Sequence, residues 1–362
     1  MHIRIERTPS PVWVQTLIPF LAIILTFVLT SVLVLLVDAN PLEAGYYFVI
    51  KPLSGKVSAL EVLVKMTPLV LTGVAVTFAF AGGYYNIGAE GQLYAGAVAA
   101  TAVGLHVGGL SPWLAIPLML VGGFVAGMAW ALVPALLKVR LAIDEVVTTL
   151  LLNYVALLGV SALLNGPWRD PISQWPQSPE IAAAAIFPKL VPRSRLHLGF
   201  LVAVIALIVL WFVLSRTAFG LRMRAVGMGP EAANFAGISV PRTMLTCASS
   251  AAALPGWRAS AKWPASTTIS DALSPGYGYT GIIVATLGQL NAVGVALAAF
   301  FLGLIDTGAQ TVSRALGVPA YLGDVIQATL LLVTLALLLL QRYRIRVDWG
   351  RGRGRELEGG EA

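Results

Sequence analysis

Long uncharged apolar runs alternate with short polar loops along the chain. No Lys, Arg, Asp or Glu occurs in residues 8–37, 66–89, 91–137 or 272–305. A helix needs about 20 apolar residues to cross a bilayer, and each of these runs is longer than that. The pattern therefore predicts an all-α fold, a polytopic membrane helix bundle.

The runs divide into about ten predicted transmembrane helices, with eight as the alternative count. The run at 91–137 is too long for one span at a rise of 1.5 Å per residue, so we place a break at residues 108–112, where Gly, Ser and Pro cluster. The division of 279–312 is open, because Gly and Gln interrupt it and re-entrant segments also fit. The predicted spans are 16–37, 67–84, 92–107, 112–137, 146–164, 198–214, 243–261, 279–295, 296–312 and 322–340.

Composition excludes an ordinary soluble protein. Hydrophobic residues make up 57% of the 362 residues and charged residues 11%, and the mean hydropathy is +0.82. A soluble domain carries about 25% charged residues. The single cysteine, Cys247, excludes an intrachain disulfide and a cysteine-based metal cluster. His2, His106 and His197 show no ligand spacing, so we expect no metal site.

Basic residues predict the orientation. With ten spans, four separate clusters of basic residues fall on the same face of the membrane, and the positive-inside rule makes this face cytoplasmic. Both termini are therefore predicted to be cytoplasmic, and the net charge of +7 is expected to contact anionic lipid rather than nucleic acid. The predicted regions are a cytoplasmic tail at 1–15, a transmembrane domain at 16–340 with a cytoplasmic loop at 215–242 and an extracytoplasmic loop at 165–197, and a basic, disordered cytoplasmic tail at 341–362.

Polar side chains inside the apolar runs are the candidate functional residues, because they are costly in a membrane. Residues 82–92 hold four glycines, which weaken a helix, and Asn86 is placed as the cap of a new helix. We expect a broken helix beside a solute pathway; the alternative is a polar turn with Glu90 at an ordinary helix N-terminus. The candidate pathway residues are Asn86, Glu90, Gln92, Glu145, Asn153 and Asp306.

The later pathway candidates come from their spacing and depth. Glu145 and Asn153 are eight residues apart and share one helix face. Asn153 lies in mid-span, where an interhelical hydrogen bond is expected, and packing is the alternative role. Asp306 falls in the middle of a predicted span and must face the bundle or pair with another residue, for which Arg314 two turns on is a candidate.

The loop at 215–242 contains a compact helix signature. Pro230 suits the first helical position, Glu231 favours the positive helix end and Gly237 suits a left-handed terminating position. We expect a short cytoplasmic helix that docks in a partner's groove, with its small residues and Phe235 available for contact; the alternative is a plain amphipathic connector. The candidate docking residues are Gly220, Arg222, Arg224, Gly227, Glu231, Ala232, Ala233 and Gly237.

Catalytic residues are not expected. The only Gly-Lys pair, Gly55-Lys56, lacks the glycine spacing of a phosphate-binding loop, and no Ser-His-Asp set or paired carboxylates can be proposed. If ATP drives transport, another chain must bind it. A secondary transporter that works alone, with Asp306 and Glu90 relaying protons, is the alternative class.

Four stretches carry a family resemblance. Asn-Ile-Gly-Ala-Glu-Gly-Gln at 86–92 resembles the hallmark of permease subunits in bacterial ABC importers for nucleosides and simple sugars, within the broader branched-chain amino acid and ribose permease family. Residues 145–154, 220–238 and 274–282 are also similar, and together the stretches cover most of 57–340. Residues 248–270 depart from the family pattern with Pro, Arg and Lys in an expected span, and we hypothesise a pair of compensating frameshifts that resequencing would test.

The resemblance implies a permease in the bacterial plasma membrane that translocates a nucleoside or simple sugar. It implies a second permease subunit, in a heterodimer, and an extracytoplasmic solute-binding lipoprotein that delivers the solute. It also implies separate ATPase subunits that bind ATP and Mg, so that this chain is not itself an enzyme and holds no cofactor. The loop from Gly220 to Gly237 is implied to couple to the ATPase.

Overall fold

The computed structural model describes residues 2–7, 12–253 and 273–348, with side chains described for 17–250 and 273–340. It is a helical bundle, which confirms the predicted fold class. The helices are α1 Val12–Leu35, α2 Pro41–Gly45, α3 Lys56–Ala81, α4 Ala89–His106, α5 Pro112–Leu141, α6 Glu145–Asn165, α7 Gly199–Arg216, α8 Ala218–Met228, α9 Pro230–Phe235, α10 Val240–Ala253, α11 Tyr277–Leu287, α12 Ala292–Leu316 and α13 Leu322–Arg342. Short turns of other helix types occupy Tyr46–Ile50, Lys51–Leu53 and Ala183–Ala185, and the strands are β1 His2–Arg7 and β2 Tyr343–Asp348.

Seven helices of the described chain are long and apolar enough to cross a membrane: α1, α3, α5, α6, α7, α12 and α13. Many large apolar side chains on α1, α5, α6 and α7 are exposed, as expected of helices that face lipid. The predicted spans at 92–107 and 243–261 correspond to α4 and to α10, which the structure follows as far as Ala253. Most of the unusual stretch at 248–270 lies outside the described residues.

Helix α3 forms the centre of the bundle. Every residue from Thr67 to Ala79 is buried, and α3 packs against α7, α10, α11 and α12. It begins at Lys56, eleven residues before the predicted span, because its first turns carry charge and still continue the helix. One of these charges, Glu61, forms a salt bridge of 3.2 Å with Arg195 of the predicted extracytoplasmic loop.

The division between α11 and α12 differs from the prediction. We expected the two spans to meet between residues 295 and 296, whereas α11 ends at Leu287 and α12 begins at Ala292. Gln289 and Leu290 have left-handed φ angles of 51° and 54°, which interrupts a right-handed helix. Asn291 then caps α12 by accepting a hydrogen bond of 2.7 Å from the Gly294 N–H. This cap signal was missed.

The first and the last described segments of the chain pair with each other. β1 pairs with β2 in antiparallel register, with Ile3 opposite Val347. The first part of the predicted tail at 341–362 therefore continues α13 and forms β2, while residues 349–362 lie outside the described part of the chain. The assignment of both termini to the cytoplasm stays a prediction.

Candidate functional site

A tight turn joins α3 to α4 at the point where the sequence predicts a helix break. α3 ends at Ala81, α4 begins at Ala89, and Gly83 between them has a φ of 72°. The break is confirmed, but the predicted cap is wrong, because Gly88 and not Asn86 occupies the capping position. The buried Asn86 Oδ1 instead accepts a hydrogen bond of 2.8 Å from the Gly88 N–H, which shapes the chain just before the helix.

Asn86 is also paired with the first turn of α4. Its Nδ2 donates to Gln92 Oε1 and the Gln92 Nε2 donates to Asn86 Oδ1, each over 3.3 Å. Both side chains are almost fully buried. Two amides that satisfy each other remove the cost of burying either alone, so this pair fixes the turn onto α4.

Asn153 of α6 ties three elements together. Its Oδ1 accepts from the Gly91 N–H over 2.8 Å, and its Nδ2 donates to the Ile87 carbonyl over 2.9 Å and to the Tyr279 hydroxyl over 3.2 Å. One helical turn earlier, Thr149 Oγ1 accepts from the Ile87 N–H over 3.2 Å. The predicted interhelical bonding of Asn153 is confirmed, and it joins α6, the α3–α4 turn with the start of α4, and α11.

Glu90 connects the starts of two helices. It is only 6% exposed, and its Oε2 accepts a hydrogen bond of 2.6 Å from the Gly278 N–H at the start of α11. A Cβ on Gly278 would overlap the backbone nitrogen of Glu90, so the contact requires glycine. The carboxylate therefore does more than favour the N-terminus of its own helix.

Glu145 anchors the same region to α5. Its Oε2 lies 2.6 Å from Lys138 Nζ, and its Oε1 accepts from the Tyr85 N–H over 3.5 Å. Glu145 is buried and shares a buried face of α6 with Asn153, as predicted from their spacing. Asp144 caps the helix by accepting from the Val146 N–H over 2.7 Å. We define Asn86, Glu90, Gln92, Glu145, Thr149 and Asn153 as the polar network.

Asp306 lies apart from the polar network. Its Oδ1 accepts from Gln327 Nε2 of α13 over 2.7 Å, and Gln327 Oε1 accepts from Thr280 Oγ1 of α11 over 3.4 Å. The structure therefore brings five of the six predicted pathway residues together, and hydrogen bonds through Gln327 connect the sixth, Asp306, to the start of α11.

Several residues of this site were missed in the sequence. One of them, Lys138, pairs with Glu145 seven residues along the chain. The other five are polar or glycine residues whose partners are far away along the chain: Thr149, Gly278, Tyr279, Thr280 and Gln327. The signal for three of them was the stretch at 274–282, which we used for the family resemblance alone. Among the described residues, no group of three or more His, Cys, Asp or Glu is arranged to hold a metal ion.

The loop at 215–242 folds into two helices rather than one. α8 begins after Thr217, whose Oγ1 accepts from the Gly220 N–H over 3.0 Å. α9 begins at Pro230, with Glu231 in its first turn, and ends before Gly237, whose φ is 79°. The predicted start and end of the short helix are thus confirmed.

The surface of these helices is largely open. Arg222, Arg224, Glu231 and Ala232 are exposed, and Phe235 is 97% exposed. Ala233 differs from the expectation, because it is only 4% exposed. Its carbonyl accepts from the Ile238 N–H over 2.9 Å in the turn that ends α9.

Comparisons with known proteins identify the family. A family model described as the permease component of branched-chain amino acid transport systems matches residues 58–335. The chain is 34% identical to the glucose ABC transporter permease protein TsgB13 of Haloferax volcanii, over 95% of this chain and 94% of that one. It is 33% identical to the guanosine ABC transporter permease protein NupP of Bacillus subtilis, over 87% and 92%, and 29% identical to the nucleoside ABC transporter permease protein NupB of Lactococcus lactis, over 88% and 90%.

No solved structure matches the chain. The family model covers more than half of its residues, and the relatives align along almost their whole length. With seven apolar helices long enough to cross a membrane in the described residues, the chain is a multi-pass membrane protein that belongs to the branched-chain amino acid transport system permease family.

Proposed function

We propose that this chain is the membrane-spanning permease subunit of an ATP-driven ABC importer in the plasma membrane. It translocates a nucleoside or a simple sugar that an extracytoplasmic solute-binding lipoprotein delivers. The relatives support the substrate class, since their names specify guanosine, nucleosides and glucose. A second permease subunit completes the pore, and no nucleic acid takes part.

The surface of α8 and α9 carries the coupling part of the proposal. Phe235 is almost completely exposed on a short helix whose Ala233 is buried, and Arg222 and Arg224 are exposed on the preceding helix. Exposed aromatic and arginine side chains on one pair of helices are typical of a protein-binding surface. We assign this surface to the ATPase subunit, which binds ATP and Mg.

The polar network has a positioning role in this proposal. Its members are buried and bond to one another and to backbone groups at the starts of α4 and α11. Helix ends freed from regular bonding are tolerated at membrane depth only where protein or water satisfies them. We infer that the network holds these helix ends beside the solute pathway, and that Asp306, which is half-buried, lies nearer the solute.

Reconstitution tests the proposal. The permease is assembled in liposomes with its partner permease and ATPase, and uptake of radiolabelled guanosine and glucose is measured with the binding protein and ATP. ATP-dependent uptake of one of these solutes is expected. Uptake by the permease alone, driven by a proton gradient and abolished by an ionophore, would instead establish the secondary-transport alternative.

A further inference from the structure

The turn that begins the polar network touches the helices of the coupling loop. Gly227, near the end of α8, lies against the last residue of α3, and a Cβ on Gly227 would overlap the Ala81 carbonyl oxygen. A Cβ on Gly83 would lie 3.1 Å from the Gly227 Cα. The two glycines thus cross backbone to backbone, with no side chain between them.

Helix α10 contacts the same turn through Cys247. Cys247 is fully buried, and a Cβ on Gly82 would lie 2.5 Å from its Sγ and 3.1 Å from its Cβ. Along the chain, α8 directly precedes α9 and α10 directly follows it. The pair Gly82-Gly83 is therefore held by both helices that flank the exposed α9 surface.

The turn is short and internally bonded on its way to the network. The Tyr84 N–H donates to the Ala79 carbonyl over 3.0 Å, and the Asn86 N–H donates to the Tyr84 carbonyl over 2.9 Å. Tyr84 is only 1% exposed. A displacement of Gly83 should therefore be passed on to Asn86, because each residue between them is bonded or buried.

We propose that the Gly82-Gly83 turn transmits movement of α8 and α9 to the polar network, and through Glu90 to the start of α11. Gly82, Gly83 and Gly227 are positioning residues in this account. The inference rests on the proposed function, since the movement originates at the ATPase.

Backbone contact suits this role for a physical reason. Long side chains change rotamer and absorb a displacement, whereas closely packed backbones pass it on because protein interiors are dense. The network then divides the displacement between α6, through Asn153, and α11, through the bond from Gly278 to Glu90. Displacement of the Gly82-Gly83 turn would therefore move both α6 and α11, which contribute to the bundle interior.

The test substitutes the glycines in the reconstituted importer and measures solute transported per ATP hydrolysed. Gly227→Ala places a methyl group against the Ala81 carbonyl, and we expect this ratio to fall at least tenfold in protein that still inserts into the membrane. Gly229→Ala is the matched control, because the nearest heavy atom to its Cβ is the Ala232 Cβ at 3.7 Å, an ordinary contact. The control should keep the wild-type ratio.

A second pair of variants covers the case in which Gly227→Ala fails to fold. Gly82→Ala should lower the ratio by crowding Cys247, and Cys247→Ala in the same chain should restore part of it by removing the sulfur. A wild-type ratio in both Gly227→Ala and Gly82→Ala, or an equal loss in Gly229→Ala, would overturn the inference. Absence of ATP-driven uptake by the wild-type importer would instead contradict the proposed function itself.

Discussion

The polar network and the surface of α8 and α9 differ in whether their polar groups are buried and bonded within the chain or exposed. In the network, buried amides, carboxylates and backbone N–H groups bond to partners in the same chain. On α8 and α9, the charged side chains Arg222, Arg224 and Glu231 and the ring of Phe235 are exposed. A closed set of bonds fixes the positions of helices, whereas an open set is available to another protein.

This difference determines what a substitution does. A buried donor or acceptor that loses its partner costs about 1–3 kcal/mol, and overpacking costs about the same or more. Surface substitutions usually change the folding free energy by about 0.5 kcal/mol or less. Network variants should therefore lose stability, and surface variants should lose coupling without losing stability.

The largest effect is expected at the contact between α11 and α4. Gly278→Ala forces a methyl group onto the Glu90 backbone, and we expect it to destabilise the permease by about 3 kcal/mol or more. Gly159→Ala on α6 is the control, since its Cβ would meet nothing within 4 Å. Thermal aggregation of the detergent-solubilised protein measures both. Equal stability of the two variants would show that Gly278 and the Glu90 backbone are not in close contact.

Loss of the Asn153 amide should have the next largest effect. Asn153→Ala leaves the buried Gly91 N–H and Ile87 carbonyl without this partner, at a cost of about 1–3 kcal/mol. Asn165→Ala is the matched control on the same helix, because Asn165 is exposed and bonds within its own turn to Ser161. A similar melting shift in both variants would argue that the network contributes nothing beyond helix packing.

A smaller stability change, with a large change in coupling, is expected on α9. Glu231→Lys reverses an exposed charge and should alter stability by only about 0.5 kcal/mol, while ATP hydrolysis becomes uncoupled from uptake. Glu180→Lys makes the same charge change at an exposed position of the predicted extracytoplasmic loop and should leave uptake normal. Gly237→Ala, which strains a φ of 79°, should also uncouple without preventing membrane insertion. Normal uptake by both α9 variants would count against the coupling role.

The smallest effect concerns the extracytoplasmic loop. Hydrogen bonds from Ser173, the Ile172 N–H and Gln177 lower the pKa of Asp170 from 3.8 to about 2. Because the folded pKa is the lower one, the contribution of the carboxylate is complete above about pH 4 and is lost as the pH falls through about 2. As the pH falls across that window, pepsin cleavage of this loop should rise more in the wild type than in Asp170→Asn, which lacks the titrating carboxylate and shows how far pepsin's own activity changes.

The helix bundle and the residues of the site were predicted from the sequence more accurately than the contacts between those residues. Hydrophobic runs report membrane burial directly, so α1, α5, α6, α7 and α13 fall close to their predicted positions. The start of α3 and the gap between α11 and α12 were misplaced, because charged first turns still form helix and because the cap at Asn291 was overlooked.

The partners within the site could not be derived from local spacing. Glu90 accepts from Gly278, 188 residues away, and no periodicity of either segment encodes that contact. Asn153 was expected to bond between helices, but its three partners in the α3–α4 turn, α4 and α11 emerge only when these elements pack together. Pattern identifies costly polar residues; tertiary packing decides which of them meet.

Cysteine cross-linking tests the central claim most directly, namely that the exposed α9 surface binds the ATPase. Cys247 is the only cysteine and is buried, so Phe235→Cys introduces the only accessible thiol, and Trp175→Cys in the predicted extracytoplasmic loop is the matched exposed control. In the assembled importer, a short bifunctional reagent should link Phe235→Cys, and not Trp175→Cys, to the ATPase subunit. Labelling of Phe235→Cys from outside intact cells, or a link from Trp175→Cys alone, would contradict the account.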